Sequence, residues 1–430
     1  MLYKLNKEVS KFRDWFTSLE IYYQLLPFLL LYLTISIVFN TDQFVGDEKR
    51  FIAFAKNLLN GFYSPPAPEI NLWNGPGYPI FLLPFILLKI PLLGLRLLNG
   101  ILLYLSLIIN YKTCCFYSQK KSSFIFTVIL GLYFPIYEYL PLLLSEILAW
   151  FFVSLVCYLF ISNIRNKERS WSKIAIVSAS IAFLTMTKII FGIVVIIMLI
   201  ITVLFYSIPK FRSNMSNPML IILFSLVLCI PYLSYTYSLT GKLFYWSNAG
   251  GESLYWMSSP YTDELGDWRF HTEAIEDASK IEQINHGGFF NKINQLDTIE
   301  RDQALKKKAL TNIQNNPQKY FNNWLLNISR MVFSYPYSYS KQSKTTLFTI
   351  IPNMIVLVII LLSLYTCYKN IGLIPVELKH IFIFIMVYLF GSSLVSAYSR
   401  MFIITIPFWV LFVSFVFNNV IEVRLRNKKT

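Results

Sequence analysis

Acidic residues stand at two points where apolar segments begin or end, and each of them could act as a base. Asp47 and Glu48 are adjacent and follow the first apolar segment, while Glu146 follows Ser145 at the start of another one. A carboxylate can take a proton from a hydroxyl that lies within about 3 Å of it. Helix capping by Asp47 and snorkelling by Glu146 are the structural alternatives, but ionisable groups at a membrane boundary are costly enough to suggest function.

Three cationic residues stand in similar surroundings. Lys188 and Arg400 each separate two apolar segments, and Arg96 lies at the start of a further one. Charge-assisted hydrogen bonds to phosphate are strong where water is scarce, so these side chains could hold the phosphate of a lipid. Alternatively, they only mark the ends of helices by snorkelling.

Other kinds of chemistry find little support in the sequence. The five cysteines lie in or beside apolar segments and the three histidines are scattered, so neither type forms a metal-binding motif. Walker P-loop, GxGxxG, HExxH and GxSxG motifs are absent from the sequence. We therefore expect no cofactor, although Asp47, Glu48 and Glu146 could supply oxygen ligands to a divalent metal.

The elements that must position these residues are membrane-spanning helices. Of the 430 residues, 55% are apolar and 14% are charged, and the apolar runs approach the roughly 20 residues that a helix needs to cross a bilayer. The first run is longer than the apolar part of a signal peptide and is expected to remain as a helix. The predicted spans are 21–39, 96–111, 122–140, 145–163, 173–188, 190–208, 217–238, 347–368, 379–398 and 401–421.

The segment 78–93 is apolar but contains three prolines and a lysine, which disfavour a straight spanning helix. If it lies instead in the outer membrane interface, every short basic cluster falls on the cytoplasmic side, as the positive-inside rule requires. Because the net charge of +15 is divided among these clusters, we expect no nucleic-acid partner. The clusters are Lys4, Lys7, Lys11 and Arg13; Lys112, Lys120 and Lys121; Arg165, Lys167, Arg169 and Lys173; Lys210 and Arg212; Lys369 and Lys379; Arg424, Arg426, Lys428 and Lys429.

The sequence thus predicts an all-α polytopic membrane protein in three parts. Residues 1–238 form an N-terminal transmembrane module with a first outer loop at 40–77 and an interfacial helix at 78–93. Residues 239–346 form an extracytoplasmic loop domain with helical patterning around 293–310 and 320–332. Residues 347–430 supply the last transmembrane helices and a basic cytoplasmic tail, so that both termini are cytoplasmic.

Short motifs occur in order along nearly the whole chain. They are Gly46-Asp47-Glu48, Gly75-Pro-Gly-Tyr-Pro79, Leu95-Arg96-Leu97-Leu98-Asn99, Ser145-Glu146, Met186-Thr187-Lys188, Thr240-Gly241, Asn248-Ala-Gly-Gly251 with Leu254-Tyr255-Trp256, Asn316-Pro317 with Tyr320, and Ser399-Arg400 followed by Pro407. Together they resemble those of the GT-C superfamily of membrane glycosyltransferases, in particular its family 39, protein O-mannosyltransferase and aminoarabinose-transferase types. One segment departs from the aminoarabinose-transferase pattern, because that branch has a lysine just before its glycine-tyrosine pair, where this chain reads Asn74-Gly-Pro-Gly-Tyr78.

The resemblance implies a GT-C-like bundle of about ten transmembrane helices with an interfacial helix and a helical outer loop domain. It also implies an inverting glycosyltransferase that moves a sugar from a polyprenyl-phosphate donor to an acceptor hydroxyl on the extracytoplasmic face. The acceptor, which could be a lipid, a glycan or a protein, is left open. We expect the chain to lie among the lipids of a bacterial inner or plasma membrane.

The resemblance further implies a role for each candidate residue. Asp47 is expected to be the general base, Glu48 its acidic neighbour, and Glu146 a residue that orients the sugar or acceptor. Lys188, Arg400 and Arg96 would bind the donor phosphate, and Tyr78 and Tyr255 would contact the substrate. A lipid-linked sugar flippase or transporter is the main alternative, and a non-catalytic membrane scaffold is the other.

Overall fold

The computed structural model describes residues 17–166, 169–269, 283–339 and 342–421, and every regular element in these ranges is helical. The cationic residues at positions 4–13, 167 and 424–429 lie outside these ranges. The helices are α1 (Ile21–Gln24), α2 (Leu26–Val38), α3 (Glu48–Leu59), α4 (Gly77–Leu87), α5 (Leu92–Cys114), α6 (Lys120–Gly131), α7 (Ser145–Arg165), α8 (Trp171–Thr187), α9 (Ile190–Tyr206), α10 (Arg212–Thr240), α11 (Gly250–Met257), α12 (Gly288–Ile293), α13 (Thr298–Asn315), α14 (Pro317–Phe333), α15 (Leu347–Lys369), α16 (Val376–Ser393), α17 (Arg400–Ile403) and α18 (Ile406–Asn419).

The apolar runs of the sequence form the helices of a membrane bundle. Five helical segments are long and apolar enough to cross a bilayer, namely α5, α7, α10, the segment Lys344–Lys369 that contains α15, and α16. Five shorter apolar helices, α2, α4, α8, α9 and α18, stand beside them. The prediction of an all-helical polytopic membrane protein is confirmed.

Two predicted spans end earlier than expected: the span 379–398 ends at Ser393, and the larger difference is in α6. The sequence predicts a helix over 122–140, whereas α6 ends at Gly131 and a 3₁₀ turn follows over Phe134–Tyr139. Pro135 has no backbone N–H to donate to the Gly131 carbonyl, and its ring disfavours a continued α-helix. The hydroxyls of Tyr32 and Tyr137 donate to that carbonyl instead, so the helix end remains satisfied.

The segment 78–93 forms one short helix followed by a turn. Helix α4 covers Gly77–Leu87 and stops before Lys89, whose φ of 54° breaks the helical backbone. Eleven residues extend about 16 Å, roughly half of the hydrocarbon thickness. A helix of this length cannot cross the bilayer alone, and its position in the interface stays a prediction.

Two polar regions meet at one end of the bundle, which we call the loop face. The first is the segment from Asn40 to Gly77 with the amphipathic helix α3, whose Phe54 packs in one apolar cluster with Tyr63 and Trp246. The second contains helices α11 to α14 and has its own small core around Trp256 and Phe290. The predicted helical segments of the loop domain are therefore present, with α13 beginning after the N-cap residue Asp297.

Candidate functional site

Asp47 lies at the N-cap position of α3 but does not act as a side-chain cap within the described chain. Gly46 precedes it with a φ of +57°, a left-handed conformation that glycine adopts without steric cost. The Asp47 carboxylate accepts a hydrogen bond from Arg50 one turn later, and its Oδ2 lies 3.6 Å from Nη1 of Arg400. The carboxylate thus links Arg50 of its own helix to Arg400 of a distant segment.

Glu146 occupies the first turn of α7, and its side chain is only 1% exposed. Its Oε1 lies 2.6 Å from the Lys188 ammonium and 3.6 Å from Arg400 Nη1. Its buried Oε2 has no hydrogen-bond partner among the described residues. The chain directly before α7 is held in place by Asn99, whose amide donates to the carbonyl of Leu142 at 2.7 Å.

Lys188 and Arg400 are both presented by breaks between helices. Lys188 is the C-cap residue of α8 and has an extended backbone, which directs its side chain away from the helix. Arg400 begins α17, and its guanidinium lies over the ring of Tyr398 at 5.3 Å. These breaks allow two long cationic side chains from distant segments to reach the same carboxylate.

Asp47, Glu146, Lys188 and Arg400, together with Arg50, form a cluster that we call the charged site. Two carboxylates face three cations, so the charged site carries one net positive charge. The side chains of Asp47, Lys188 and Arg400 are 24%, 19% and 33% exposed, which leaves the site accessible from the loop face. A partly desolvated site with excess positive charge is suited to binding an anion such as a phosphate.

Glu48 and Arg96 lie close to the charged site but form a separate pair. Both side chains are fully buried, and Arg96 Nη2 lies 3.0 Å from Glu48 Oε1. The two carboxylate oxygens of Glu48 also accept hydrogen bonds from the backbone N–H groups of Leu143 and Val45.

The remaining donors of Arg96 point into the first loop. Its Nη1 donates to Asn40 and to the carbonyl of Thr41, and its Nη2 to the carbonyl of Gln43. With these partners Arg96 has no free face towards a phosphate, and Glu48 has none towards a substrate hydroxyl. The pair ties the first loop to α5 and to the start of α7, and the predicted roles of Glu48 and Arg96 stay predictions.

The two predicted substrate-contacting tyrosines are also buried. Tyr78 is 1% exposed and packs edge to face against Phe51, with 4.9 Å between the ring centroids. It therefore packs against α3, and its predicted contact with the substrate stays a prediction.

Tyr255 lies in the core of the loop domain, where its hydroxyl is 2.7 Å from Nδ1 of His286. The other ring nitrogen of His286 is 2.8 Å from Glu264. Burial raises the pKa of Glu264, but the hydrogen bonds from His286, Ser259 and Asn285 and the charge of His286 outweigh it and hold the pKa at about 2. Tyr255 thus belongs to a buried hydrogen-bonded network in the loop domain, and its predicted contact with the substrate stays a prediction.

Arg50 is a member of the charged site that the sequence did not identify. Its Nε donates to Asn74 Oδ1 at 2.6 Å, and its guanidinium lies over the ring of Trp73 at 5.5 Å. The available signal was the spacing of three residues from Asp47 in a predicted helix, which places the two side chains on one face. Asn74, noted only as a departure from a related pattern, therefore holds a cation beside Asp47.

The donor set of the charged site does not fit a divalent metal. Within the described residues, no group of three or more His, Cys, Asp and Glu side chains has the arrangement of a metal site. Asp47 and Glu146 share the Arg400 guanidinium, whose Nη1 is 3.6 Å from an oxygen of each. A divalent metal ion placed between these two carboxylates would be repelled at short range by the charge of Arg400.

No protein-family model matches the sequence, and no curated protein matches it either. The solved structure of the Archaeoglobus fulgidus oligosaccharyltransferase, tethered to an acceptor peptide, is similar with a TM-score of 0.54 at 11% sequence identity. That match covers 94% of this chain and 50% of the archaeal chain, so this chain spans half the length of that protein. ArnT from Cupriavidus metallidurans bound to undecaprenyl phosphate matches over 92% of this chain and 77% of its own, with a TM-score of 0.40 and 11% identity. The similarity to the archaeal structure shows that this chain shares its helical fold.

Proposed function

We propose that this chain is an inverting glycosyltransferase that moves a sugar from a polyprenyl-phosphate donor to an acceptor hydroxyl on the extracytoplasmic face of the membrane. One observation carries the proposal: Asp47, Glu146, Lys188 and Arg400, from four separate segments, meet within ion-pair distances at the loop face. The acceptor is a hydroxyl of a lipid, a glycan or a protein. The membrane supplies the donor laterally, because its phosphate lies at the boundary where the charged site opens.

Lys188 and Arg400 are the residues proposed to bind the donor phosphate. Both are held by Glu146, which keeps their charged groups together at the start of α7. Negative charge accumulates on the leaving phosphate as the bond to the sugar breaks, and prearranged cations stabilise it most in a site of low water content. The charged site has a net charge of +1, which matches the single negative charge of the phosphodiester in the donor.

Asp47 is the residue proposed to act as the general base. The acceptor oxygen attacks the anomeric carbon and forms the new glycosidic bond, while the bond from that carbon to the phosphate oxygen breaks. The electron pair of the broken bond stays on the phosphate, and the acceptor proton passes to Asp47. Attack from the face opposite the phosphate inverts the anomeric centre, so no covalent enzyme intermediate is needed.

Glu146 is proposed to orient the substrate through its second oxygen. Because Oε1 is occupied by Lys188 and Arg400, only the buried Oε2 remains to accept a hydrogen bond from a sugar or acceptor hydroxyl. A buried carboxylate oxygen without a partner is costly, and a substrate hydroxyl would remove that cost on binding. Glu48 and Arg96 act indirectly, by fixing the loop on which Asp47 stands.

The test compares Asp47→Asn with the matched control Asp42→Asn, since Asp42 is an exposed acid in the same loop. Purified protein in liposomes receives a panel of polyprenyl-phosphate sugars, and the product is identified by mass analysis. Loss of a general base lowers turnover by roughly 100-fold or more, so we expect loss of sugar transfer in Asp47→Asn and normal transfer in Asp42→Asn.

Two results would contradict the proposal. Normal turnover of Asp47→Asn would show that Asp47 is not the general base. Movement of the lipid carrier across the liposome membrane with no glycosidic bond formed by the unmodified protein would identify a flippase instead.

A further inference from the structure

Helix α14 has a polar face inside the protein, and its exposed side carries apolar residues beside Gln318 and Asn322, which are hydrogen-bonded to each other. Asn323, Asn327 and Arg330 are fully buried, and their spacing of four and three residues places them on one face. The opposite face carries Phe321 and Leu325, which are 48% and 49% exposed. In a helix on a water-facing surface, the polar face would be exposed and the apolar face would be buried.

Hydrogen bonds of the buried face fix this orientation. Asn327 donates to the carbonyls of Ser393 and Val395 and accepts from the backbone N–H of Ala397. Rotating the helix to bury Phe321 would break these bonds and leave buried polar groups unpaired, at about 1–3 kcal/mol for each group.

The other two buried side chains bind the loop domain in the same way. Asn323 donates to the carbonyls of Met257 and Ser259, and Arg330 donates to that of Leu265 at 2.7 Å. The exposed apolar side is therefore a fixed feature of the fold.

The middle and the end of α14 contact helices that cross the membrane. Near its middle, the Trp324 indole donates to the hydroxyl of Ser393, the last residue of α16. Near its end, Asn353 of α15 donates to the carbonyl of Val332. Because α14 contacts the last turn of one spanning helix and the second turn of another, it lies at the level where the hydrocarbon layer ends.

The exposed apolar side of α14 continues directly onto a spanning helix. The Trp324 ring is 6.3 Å from that of Phe390, which is 57% exposed on α16 and lies about 4.5 Å below the end of that helix. Between the two helices is an apolar groove of about 370 Å³, lined by Pro317, Tyr320, Phe321, Trp324, Phe390 and Leu394. The hydroxyl of Tyr320 is satisfied inside the protein by the carbonyl of Leu394, so its ring adds apolar surface to the groove.

We infer that α14 lies in the membrane leaflet on the loop face, with Phe321 and Leu325 among the acyl chains and the groove filled by hydrocarbon. The occupant is lipid, because the groove is continuous with the surface of α16 that faces lipid. Aromatic side chains such as Trp324 and Tyr320 are typical of this boundary, since they combine an apolar ring with one polar group. The loop domain is thus partly embedded, and the segment that presents Arg400 is attached to an element held by the bilayer.

The test measures the depth of α14 with spin labels in liposomes. Leu325→Cys carries the label on the exposed apolar side, and Lys308→Cys carries it on an exposed position of the neighbouring helix α13. The background is Cys115→Ser, because Cys115 is the half-buried native cysteine and the other four are more deeply buried. We expect power saturation to show high oxygen and low nickel-complex accessibility at position 325 and the reverse at position 308.

Two outcomes would overturn the inference. Equal access of the nickel complex at positions 325 and 308 would place α14 in water, and shielding of position 325 from both reagents would indicate a protein partner. Phe321→Cys lies one turn earlier on the same side and repeats the measurement if labelled Leu325→Cys does not fold. Unchanged thermal unfolding relative to the background establishes that each labelled variant is folded.

Discussion

Arg400 lies between two carboxylates whose surroundings differ, and this difference separates their proposed roles. Glu146 is buried and has Lys188 at 2.6 Å, whereas Asp47 is 24% exposed and is paired with Arg50, and Arg400 Nη1 lies 3.6 Å from both carboxylates. A phosphate that approaches Arg400 competes with Asp47 more readily than with Glu146. Donor binding would therefore release one oxygen of Asp47 for the acceptor proton and leave Glu146 in place.

The proposed reaction should not depend on a divalent metal. Lys188, Arg400 and Arg50 already supply positive charge beside Asp47 and Glu146, and Glu48 has both oxygens occupied by Arg96 and backbone N–H groups. We expect the initial rate of sugar transfer to be unchanged after extensive dialysis against EDTA. Loss of transfer that Mn²⁺ or Mg²⁺ restores would show that the carboxylates bind a metal during turnover.

Sequence reasoning identified the residues that meet at the charged site better than those that support it. Asp47, Glu146, Lys188 and Arg400 stand out because each interrupts or borders an apolar run. The burial of Glu48 and Arg96 could not be predicted in this way, because it depends on a contact between residues 48 positions apart. Arg50 escaped notice because an arginine on an amphipathic helix usually faces water.

At the scale of helices, the position of Lys188 depends on a close contact between α4 and α8. A Cβ added to Gly77 would lie 2.5 Å from the Thr187 hydroxyl and 2.6 Å from its backbone nitrogen. A Cβ on Gly75 would lie 2.0 Å from the carbonyl oxygen of Met186. Only glycine permits the start of α4 to touch the backbone directly before Lys188, which gives the Gly-Pro-Gly-Tyr motif a physical role.

Gly77→Ala should therefore reduce sugar transfer by moving Lys188. A misplacement of about 1 Å costs roughly 100-fold in rate, and we expect the loss to appear mainly as weaker binding of the lipid donor. Gly250→Ala is the matched control, because its Cβ would meet its nearest atom at 3.8 Å, an ordinary contact. Equal donor KM and kcat for Gly77→Ala and the unmodified protein would show that Lys188 does not depend on this contact.

Helix positions were predicted well where an apolar run had a clear length, as for α7 and α15. The prediction over 122–140 was wrong after Gly131, because a proline four residues later ends a helix without interrupting the apolar pattern. The sequence also indicated a helix around 320–332, but not which of its faces is buried. The polar face of α14 is inside only because carbonyls of distant segments accept its hydrogen bonds.

At the scale of the whole molecule, charge is divided between the two ends of the bundle. Arg165 ends α7, Lys369 ends α15, and Lys120 begins α6, all at the end opposite the loop face. The charged site and both polar regions lie at the loop face. By the positive-inside rule this distribution predicts that the loop face is extracytoplasmic.

Labelling from outside intact cells tests this orientation. Lys308→Cys is exposed on α13 at the loop face, and Lys121→Cys is exposed at the start of α6 at the other end. A membrane-impermeant maleimide should modify position 308 in intact cells and position 121 only after the membrane is permeabilised, with Cys115→Ser as the background. These positions are preferable to the charged site itself, where Glu146 is too buried to react. Modification of position 121 but not of position 308 in intact cells would place the charged site in the cytoplasm, and the acceptor would then have to be a cytoplasmic one.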